Sequence, residues 1–181
     1  SHNNTRMVFC AKISIDRLEE LHELIERYNV QTCVMDIQPE QALAELFQSE
    51  AKCEVWLAKI GRKADTSEPI GLNYDRMIIS ANKTFVMDRT YAQIQMRKNI
   101  IPRNYREFLS GKYVEEMCMP VREVKENSQG ELVFEWTGGD DHHRLADVYD
   151  YLAYQRINED CPVISMDCFY TQKGKGDVGN S

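Results

Sequence analysis

The sequence predicts an α/β domain in which a sheet with parallel strands is flanked by helices. Runs of β-prone apolar residues alternate with segments of helical period along the first half of the chain, an order typical of parallel sheets. The length of 181 residues and the hydrophobic content of 43% fit one domain with a substantial core. We therefore expect this domain at 7–160, after a tag or linker remnant at 1–6 and before a largely disordered tail at 161–181.

The first half alternates between strand and helix. We expect strands at 7–13, 32–37 and 53–60, separated by helices at 16–28 and 39–47. The second of these strands is continuously apolar up to its acid, which favours burial on both faces. That acid, Asp36, should therefore mark the carboxyl end of a central strand, where open α/β sheets usually bind their ligands.

The second half mixes hairpins with helices. A polar loop at 61–73 should lead into antiparallel strands at 76–80 and 83–88. A second hairpin should join strands at 121–125 and 132–136, and helices are expected at 91–98, 104–111 and 141–156.

Composition limits the classes of partner. The formal net charge is −7, from 29 acidic and 22 basic residues, so the chain as a whole repels nucleic acid and any DNA contact needs a local basic patch. No apolar run approaches the ~20 residues that cross a bilayer, so we expect neither a membrane span nor a signal peptide. Six cysteines without a CxxC pair favour reduced, mainly buried thiols in a cytosolic protein.

The densest site chemistry lies at 139–150. Two adjacent acids, Asp140 and Asp141, follow a glycine pair at the start of the last predicted helix, and like charges this close are costly unless a cation lies between them. Hard divalent cations such as Mg²⁺ and Mn²⁺ prefer carboxylate oxygens from several elements. We therefore predict a metal site that combines these acids with Asp36, and Asp147 as a further ligand or a supporting acid.

Each of these residues also has a plainer interpretation. Taken singly, Asp141 is a common helix N-cap and Asp36 is a solvent-facing strand end. His142 and His143 are candidates to polarise a water, ligate the metal or contact a phosphate, and they also suit a polar helix start. His143 precedes Asp147 by four residues and so shares a helix face with it. We do not expect zinc, because no cysteine or histidine pair supplies the remaining ligands at a recognisable spacing.

The best candidate for a DNA-binding surface is the stretch 89–112. It carries six basic residues against the single acid Glu107 in a chain that is acidic overall. Solvated helix faces also collect lysine and arginine, so this prediction depends on the independently suspected phosphodiester site. The candidate contacts are Arg89, Arg97, Lys98, Arg103 and Arg106.

Four motifs, in order, resemble the C-terminal nuclease domain of the large terminases of tailed bacteriophages. They are Val-Met-Asp-Ile-Gln-Pro-Glu at 34–40, Val-Met-Asp-Arg-Thr-Tyr at 86–91, Ile-Ile-Pro at 100–102, and Gly-Asp-Asp-His-His-Arg-Leu-Ala-Asp at 139–147. Each motif alone is weakly specific, and the shared order carries the resemblance, which covers 7–156.

The resemblance implies an RNase H-like fold, a mixed sheet flanked by helices with inserted β-hairpins. Such domains cut double-stranded DNA with Mg²⁺ or Mn²⁺ when concatemeric viral genomes are packaged. In the family one catalytic acid ends the central strand, which matches Asp36, and another begins the last helix, which matches Asp141 with Asp140 beside it. The implied partners are double-stranded DNA, the terminase ATPase domain, the small terminase subunit and the portal or procapsid, in the host cytoplasm.

The chain departs from the family pattern at its start. Family members begin with a strand that carries the first catalytic aspartate, whereas the strand expected at 7–13 corresponds to the third strand. The resemblance therefore implies an incomplete domain with low or absent activity and an exposed sheet edge that can pair with another molecule. The alternatives are a non-catalytic DNA-positioning or docking module, and another RNase H-like nuclease such as a resolvase or transposase core.

Overall fold

The computed structural model describes residues 4–11, 13–14, 17–62, 67–108, 112–139 and 141–158. In this part of the chain the fold is mixed α/β, with one four-stranded sheet and two separate two-stranded sheets. The helices are α1 (Glu19–Tyr28), α2 (Gln41–Glu50), α3 (Lys83–Gln95), α4 (Tyr105–Phe108), α5 (Tyr113–Cys118) and α6 (His142–Ile157). The strands are β1 (Thr5–Arg6), β2 (Thr32–Asp36), β3 (Glu54–Gly61), β4 (Ile70–Asn73), β5 (Ile78–Asn82), β6 (Asn99–Ile100), β7 (Val121–Glu126) and β8 (Leu132–Thr137).

The main sheet has the strand order β2-β3-β5-β4. Strands β2, β3 and β5 are parallel, and β4 is antiparallel to β5. The register pairs Asp36 with Ala58 and Gly61 with Asn82, so the carboxyl ends of the three parallel strands lie at one end of the sheet. The α2 helix supplies the long crossover that parallel neighbours require.

Helices cover both faces of this sheet. Because side chains alternate along a strand, Trp56 and Ala58 of β3 enter one hydrophobic cluster while Val55 and Leu57 enter the other. The first cluster is completed by α3 and α6, and the second by α1 and α2. Val34 packs against the first cluster, so Asp36, two residues later, belongs to the face covered by α6.

The predicted α/β class is confirmed, and several elements lie close to their expected positions. These are α1, β2, α2, β3, the β7–β8 hairpin and α6. Within the described residues every helix is too short or too polar to span a bilayer.

The strand predicted at 83–88 is wrong. These residues form the first turns of α3, because the side chain of Asn82 accepts a hydrogen bond from the backbone N–H of Phe85 at 2.9 Å and caps a helix there. The antiparallel partner of β5 is instead β4, which lies inside the segment predicted to be a polar loop. A local cap therefore overrides the β-prone composition of 84–87.

The central position predicted for β2 is also wrong. Within the described residues β2 pairs only with β3 and so lies at the edge of the sheet. Its apolar run reflects helices on both faces, and that pattern cannot show whether a strand has one neighbour or two.

Smaller differences concern the ends of the domain and the thiols. Residues 7–11 form no strand, whereas Thr5 and Arg6, expected to be tag or linker, pair with β6. Four cysteines are described as free thiols, and they are exposed or half-buried rather than fully buried. The expected tail at 161–181 lies outside the described residues.

Candidate functional site

Asp36 ends β2 with both carboxylate oxygens engaged. Oδ1 accepts a hydrogen bond from the backbone N–H of Gln38 at 2.9 Å, which fixes the turn after the strand. Oδ2 accepts one from the hydroxyl of Tyr149 at 2.6 Å. Tyr149 belongs to α6, which packs on β2, so this bond ties the last helix to the end of the strand.

Asp141 lies at the N-cap position of α6, but its side chain makes no capping hydrogen bond. Its Oδ2 lies 3.6 Å from Nζ of Lys83. Because Lys83 follows β5 directly, this ion pair lies beyond the carboxyl ends of the parallel strands. Gly138 in the preceding turn has a φ of 154°, and a Cβ there would lie 2.9 Å from Cα of Pro120. The turn that delivers Asp141 therefore requires glycine.

Tyr149 connects these two acids electrostatically. Burial raises its pKa far above the ordinary value, and the hydrogen bond and charge of Asp36 and the charge of Asp141 raise it further. The phenol therefore stays protonated and donates to Asp36. Asp141 lies eight residues before Tyr149 on the same helix, ~12 Å along the axis at 1.5 Å per residue. Asp36 therefore contacts the phenol directly, whereas Asp141 acts on it through its charge.

Glu116, which the sequence did not single out, caps α6 from outside. Its Oε2 accepts a hydrogen bond from the backbone N–H of His143 at 3.1 Å and lies 2.6 Å from Nδ1 of the same residue. The Glu116 and His143 side chains are only 7% and 9% exposed. These hydrogen bonds hold the pKa of Glu116 below its ordinary value. Because Glu116 caps the helix, the carboxylate of Asp141 can point to Lys83.

Asp147 lies on the other flank of α6 from Tyr149. The two residues are two positions apart, ~200° around the helix. The Asp147 carboxylate accepts hydrogen bonds from Nδ2 of Asn99 and Nη1 of Arg144, both at 3.3 Å. Burial raises its pKa to about 6, against the attraction of Arg144.

The expected proximity of His143 and Asp147 is found, but on this second flank. The ring of Tyr113 contacts the ring of His143 edge-on, with 5.4 Å between centroids. Burial, followed by the charge of Asp147, raises the pKa of Tyr113 to about 12. His143 and Asp147 thus both act on Tyr113, whereas Asp36 is bonded to Tyr149 on the other flank of α6.

The predicted metal ligands do not all meet. Within the described ranges, no three Asp, Glu, His or Cys side chains are arranged to hold one ion. Asp140 lies outside those ranges, and His142 is exposed at the first turn of α6. What the structure offers is two carboxylates, Asp36 and Asp141, of the oxygen type that Mg²⁺ and Mn²⁺ prefer. A metal site there stays a prediction.

The basic stretch is divided between surface and interior. Arg89 is half-buried and its guanidinium lies 4.9 Å from the centre of the Phe85 ring. Lys98 is half-buried as well. The exposed members are Arg97, Arg103 and Arg106.

Comparison with known proteins gives no further constraint. The chain matches no family model, and no curated protein and no solved structure is significantly similar to it.

Proposed function

We propose that this chain is an RNase H-like, metal-dependent endonuclease domain that cleaves double-stranded concatemeric viral DNA during genome packaging, as its four motifs suggest. One observation carries the proposal most directly. Asp36 and Asp141, more than a hundred residues apart in sequence, both act on Tyr149, Asp36 through a hydrogen bond and Asp141 through its charge. Asp36 ends β2, and open α/β sheets bind ligands at this end of their strands.

Each residue then has a defined role. Asp36 and Asp141, with Asp140 of the same sequence motif, would hold Mg²⁺ or Mn²⁺, and such an ion polarises phosphate and activates water when bound. Tyr149 orients Asp36 by donating a hydrogen bond from its hydroxyl to the carboxylate. His142 is exposed next to Asp141 and can take a proton from water. His143 is held by Glu116, so its ring supports the start of α6.

DNA would be positioned by the exposed arginines of the basic stretch. Arg97, Arg103 and Arg106 provide positive charge in an otherwise acidic chain, which suits phosphate contacts. Double-stranded DNA is the substrate. The ATPase domain, the small terminase subunit, the portal or procapsid and the host cytoplasm are taken over from the resemblance.

A nicking assay tests this function. Supercoiled plasmid is incubated with Mn²⁺ and either the unaltered chain, the Asp36→Asn/Asp141→Asn variant, or Asp75→Asn as a matched control. Asp75 is exposed in the turn before β5, at the opposite end of the sheet. We expect the weak nicking that the resemblance implies to depend on Mn²⁺ and to persist in the control but to be lost in the double variant. Equal nicking by all three proteins would refute the catalytic assignment.

A second function, a non-catalytic DNA-positioning module, is favoured by the partners that the acids already have. Asp36 is bonded to Tyr149, and Asp141 is paired with Lys83. Such a module would bind duplex DNA with an affinity that depends strongly on salt. In an Arg97→Gln/Arg103→Gln/Arg106→Gln variant, the slope of log affinity against log salt should become shallower by up to ~0.9 per lost phosphate contact. The module would show no rise in unfolding temperature with Mn²⁺, whereas the nuclease would show one.

A further inference from the structure

The β7–β8 hairpin exposes apolar side chains beyond its anchor on α3. Leu132, Phe134 and Trp136 share one face of the hairpin, because side chains alternate along a strand. Val124 joins them, since it pairs directly with Phe134. Trp136 is held by a hydrogen bond to Asp88 of α3, whereas the other three side chains are 48–73% exposed. We call these three, Val124, Leu132 and Phe134, the hairpin patch.

The turn end of the hairpin carries uncompensated negative charge. Residues 121–137 contain four acidic and two basic side chains. The two basic residues already have acidic partners, namely Arg122 with Asp88 and Lys125 with Glu123 and Glu135. Glu126 and Glu131, on either side of the turn, are exposed, and neither pairs with a basic side chain among those the structure describes. The hairpin patch therefore lies beside two negative charges.

The segment that follows α3 has the opposite charge and is also partly apolar. Arg97, Arg103 and Arg106 are exposed, and no carboxylate of the described side chains pairs with them. Ile100 and Ile101 lie between them in sequence and are 39% and 40% exposed. We call these five residues the basic strip. It complements the hairpin patch in charge and shares its apolar character.

The two surfaces lie toward opposite ends of α3. Trp136 is bonded to Asp88 and contacts the ring of Tyr91, with 5.7 Å between centroids. Phe134, nearer the turn of the hairpin, is bonded through its backbone oxygen to Thr84 at the start of the helix. The hairpin therefore runs toward the N-terminus of α3. The basic strip follows the C-terminus, ~20 Å away for 13 residues at 1.5 Å per residue.

We propose that this side of the molecule binds a second copy of the chain in a two-fold dimer, with the hairpin patch of each copy on the basic strip of the other. A two-fold axis across α3 sets the two helices antiparallel, so the acidic end of each copy meets the basic end of its partner. The two contacts are identical and form together, which closes the assembly at two copies. The arginines of the strip are those proposed above to contact DNA, so dimer formation and duplex binding compete for them.

The dimer should be weak and sensitive to salt. Exposed charge pairs contribute little each, so we expect a dissociation constant on the order of 10 μM at low salt. It should rise several-fold between about 0.1 M and 1 M NaCl, because the Debye length falls from ~10 Å to ~3 Å. A dissociation constant that does not change with salt would contradict the charge pairing.

The apolar contribution is tested with Leu132→Ser. Leu132 is 73% exposed, so its replacement spares the core, and loss of its burial in the dimer should weaken association by about fivefold or more. Leu46→Ser is the matched control. Leu46 is 51% exposed on α2, which packs against the other face of the main sheet, and its replacement should leave association unchanged.

A charge exchange tests which surfaces meet. Glu126→Lys/Glu131→Lys makes the hairpin end basic, and Arg103→Glu/Arg106→Glu makes the strip acidic. Each variant alone then opposes like charges and should dimerise at least about tenfold more weakly than the unaltered chain. In an equimolar mixture both contacts join opposite charges again, so a dimer with one copy of each variant should form.

Sedimentation equilibrium of the full chain from about 1 to 200 μM, with neither metal nor DNA, measures these affinities. Glu19→Lys/Glu23→Lys, at exposed positions of α1, changes net charge as the hairpin variant does and should dimerise like the unaltered chain. A fluorescent label on one charge variant detects the mixed dimer, and circular dichroism shows that each variant is folded.

Three results would overturn the dimer. They are an unaltered chain that stays monomeric up to ~200 μM, charge variants that dimerise like the unaltered chain, and a mixture that forms no mixed dimer. Because metal and DNA are left out, each of these results leaves the nuclease proposal standing, and failure of the nicking assay leaves the dimer standing.

Discussion

Oε2 of Glu116 accepts hydrogen bonds from two groups of His143, the backbone N–H at 3.1 Å and the ring Nδ1 at 2.6 Å. The pair is almost completely buried between α5 and α6. Removing the carboxylate would leave a helix N-terminus and a buried ring nitrogen without this acceptor, and unsatisfied buried donors are costly. The stability of the start of α6, and with it the position of Asp141, therefore depends on a residue from another helix.

Glu116→Ala should lower the free energy of unfolding by about 1–3 kcal/mol, the range for a lost cap plus an unsatisfied buried group. Chemical denaturation followed by circular dichroism measures the loss. Glu115→Ala, at the exposed neighbouring position of α5, is the control and should change stability by less than about 0.5 kcal/mol. Equal effects of the two variants would show that Glu116 does not hold the helix.

Asp147 predicts a pH dependence. Its pKa rises from the ordinary 3.8 to about 6 through burial, so between these values the folded state binds more protons than the unfolded state. Stability from this group therefore falls as pH rises through this window and is constant above it. In Asp147→Asn this loss is absent. As pH rises from 4 to 7, the free energy of unfolding of the variant should therefore increase by on the order of 1–3 kcal/mol relative to that of the unaltered chain. A pH-independent difference in unfolding free energy would contradict this account.

The sequence predicts Asp36 and Asp141 as candidate site residues, but it does not predict which residues contact them. Asp36 and Asp141 were recognisable because a strand end and a helix start were recognisable. Glu116 was not, because α5 is too short to give a periodic pattern. Contacts such as Tyr149 with Asp36 join residues far apart in the chain, and local patterns do not contain them.

At the scale of elements, the β7–β8 hairpin is attached to α3 through one carboxylate. Asp88 accepts two hydrogen bonds from the Arg122 guanidinium, both at 2.9 Å, and one from Nε1 of Trp136 at 2.8 Å. Thr84 adds a bond to the backbone oxygen of Phe134 at 3.2 Å. A bidentate carboxylate–guanidinium pair is among the stronger polar contacts in proteins, so it fixes the hairpin on the helix.

Asp88→Ala should therefore loosen the hairpin before the whole domain unfolds. We expect a loss of about 1–3 kcal/mol, faster proteolysis in the turn at 127–131, and altered fluorescence of Trp136. Asp75→Ala, at an exposed turn, should show none of these changes. Protection of the 127–131 turn equal to that in the unaltered chain would contradict the anchoring role.

Elements with longer sequence patterns are predicted more accurately than short ones. Helices α1 and α6 and the hairpin have sustained periodicity or turn chemistry, and their positions were predicted. The sequence predicts a strand at the start of α3 because Thr84, Phe85 and Val86 are β-prone, whereas the cap formed by Asn82 makes this segment helical. Strand β6, only two residues long, gives no signal in sequence.

At the scale of the whole molecule, the chain is acidic overall, and within its described residues β2 and β4 lie at the two edges of the main sheet. The α/β class followed from alternation of strand and helix, whereas the position of β2 did not, because strand order is set by contacts distant in sequence. Within the described residues β2 pairs only with β3, which leaves its other backbone edge able to accept a strand. At the carboxyl end of β2, Asp36 is bonded to Tyr149 of α6.

The central claim is that Asp36 and Asp141 bind a divalent cation together. Anomalous scattering from crystals of this chain soaked in Mn²⁺ tests it most directly. We expect a Mn²⁺ peak within about 2.5 Å of carboxylate oxygens of both residues. A structure in which Mn²⁺ is absent from these carboxylates, while Tyr149 still bonds Asp36 and Lys83 still pairs with Asp141, would contradict it.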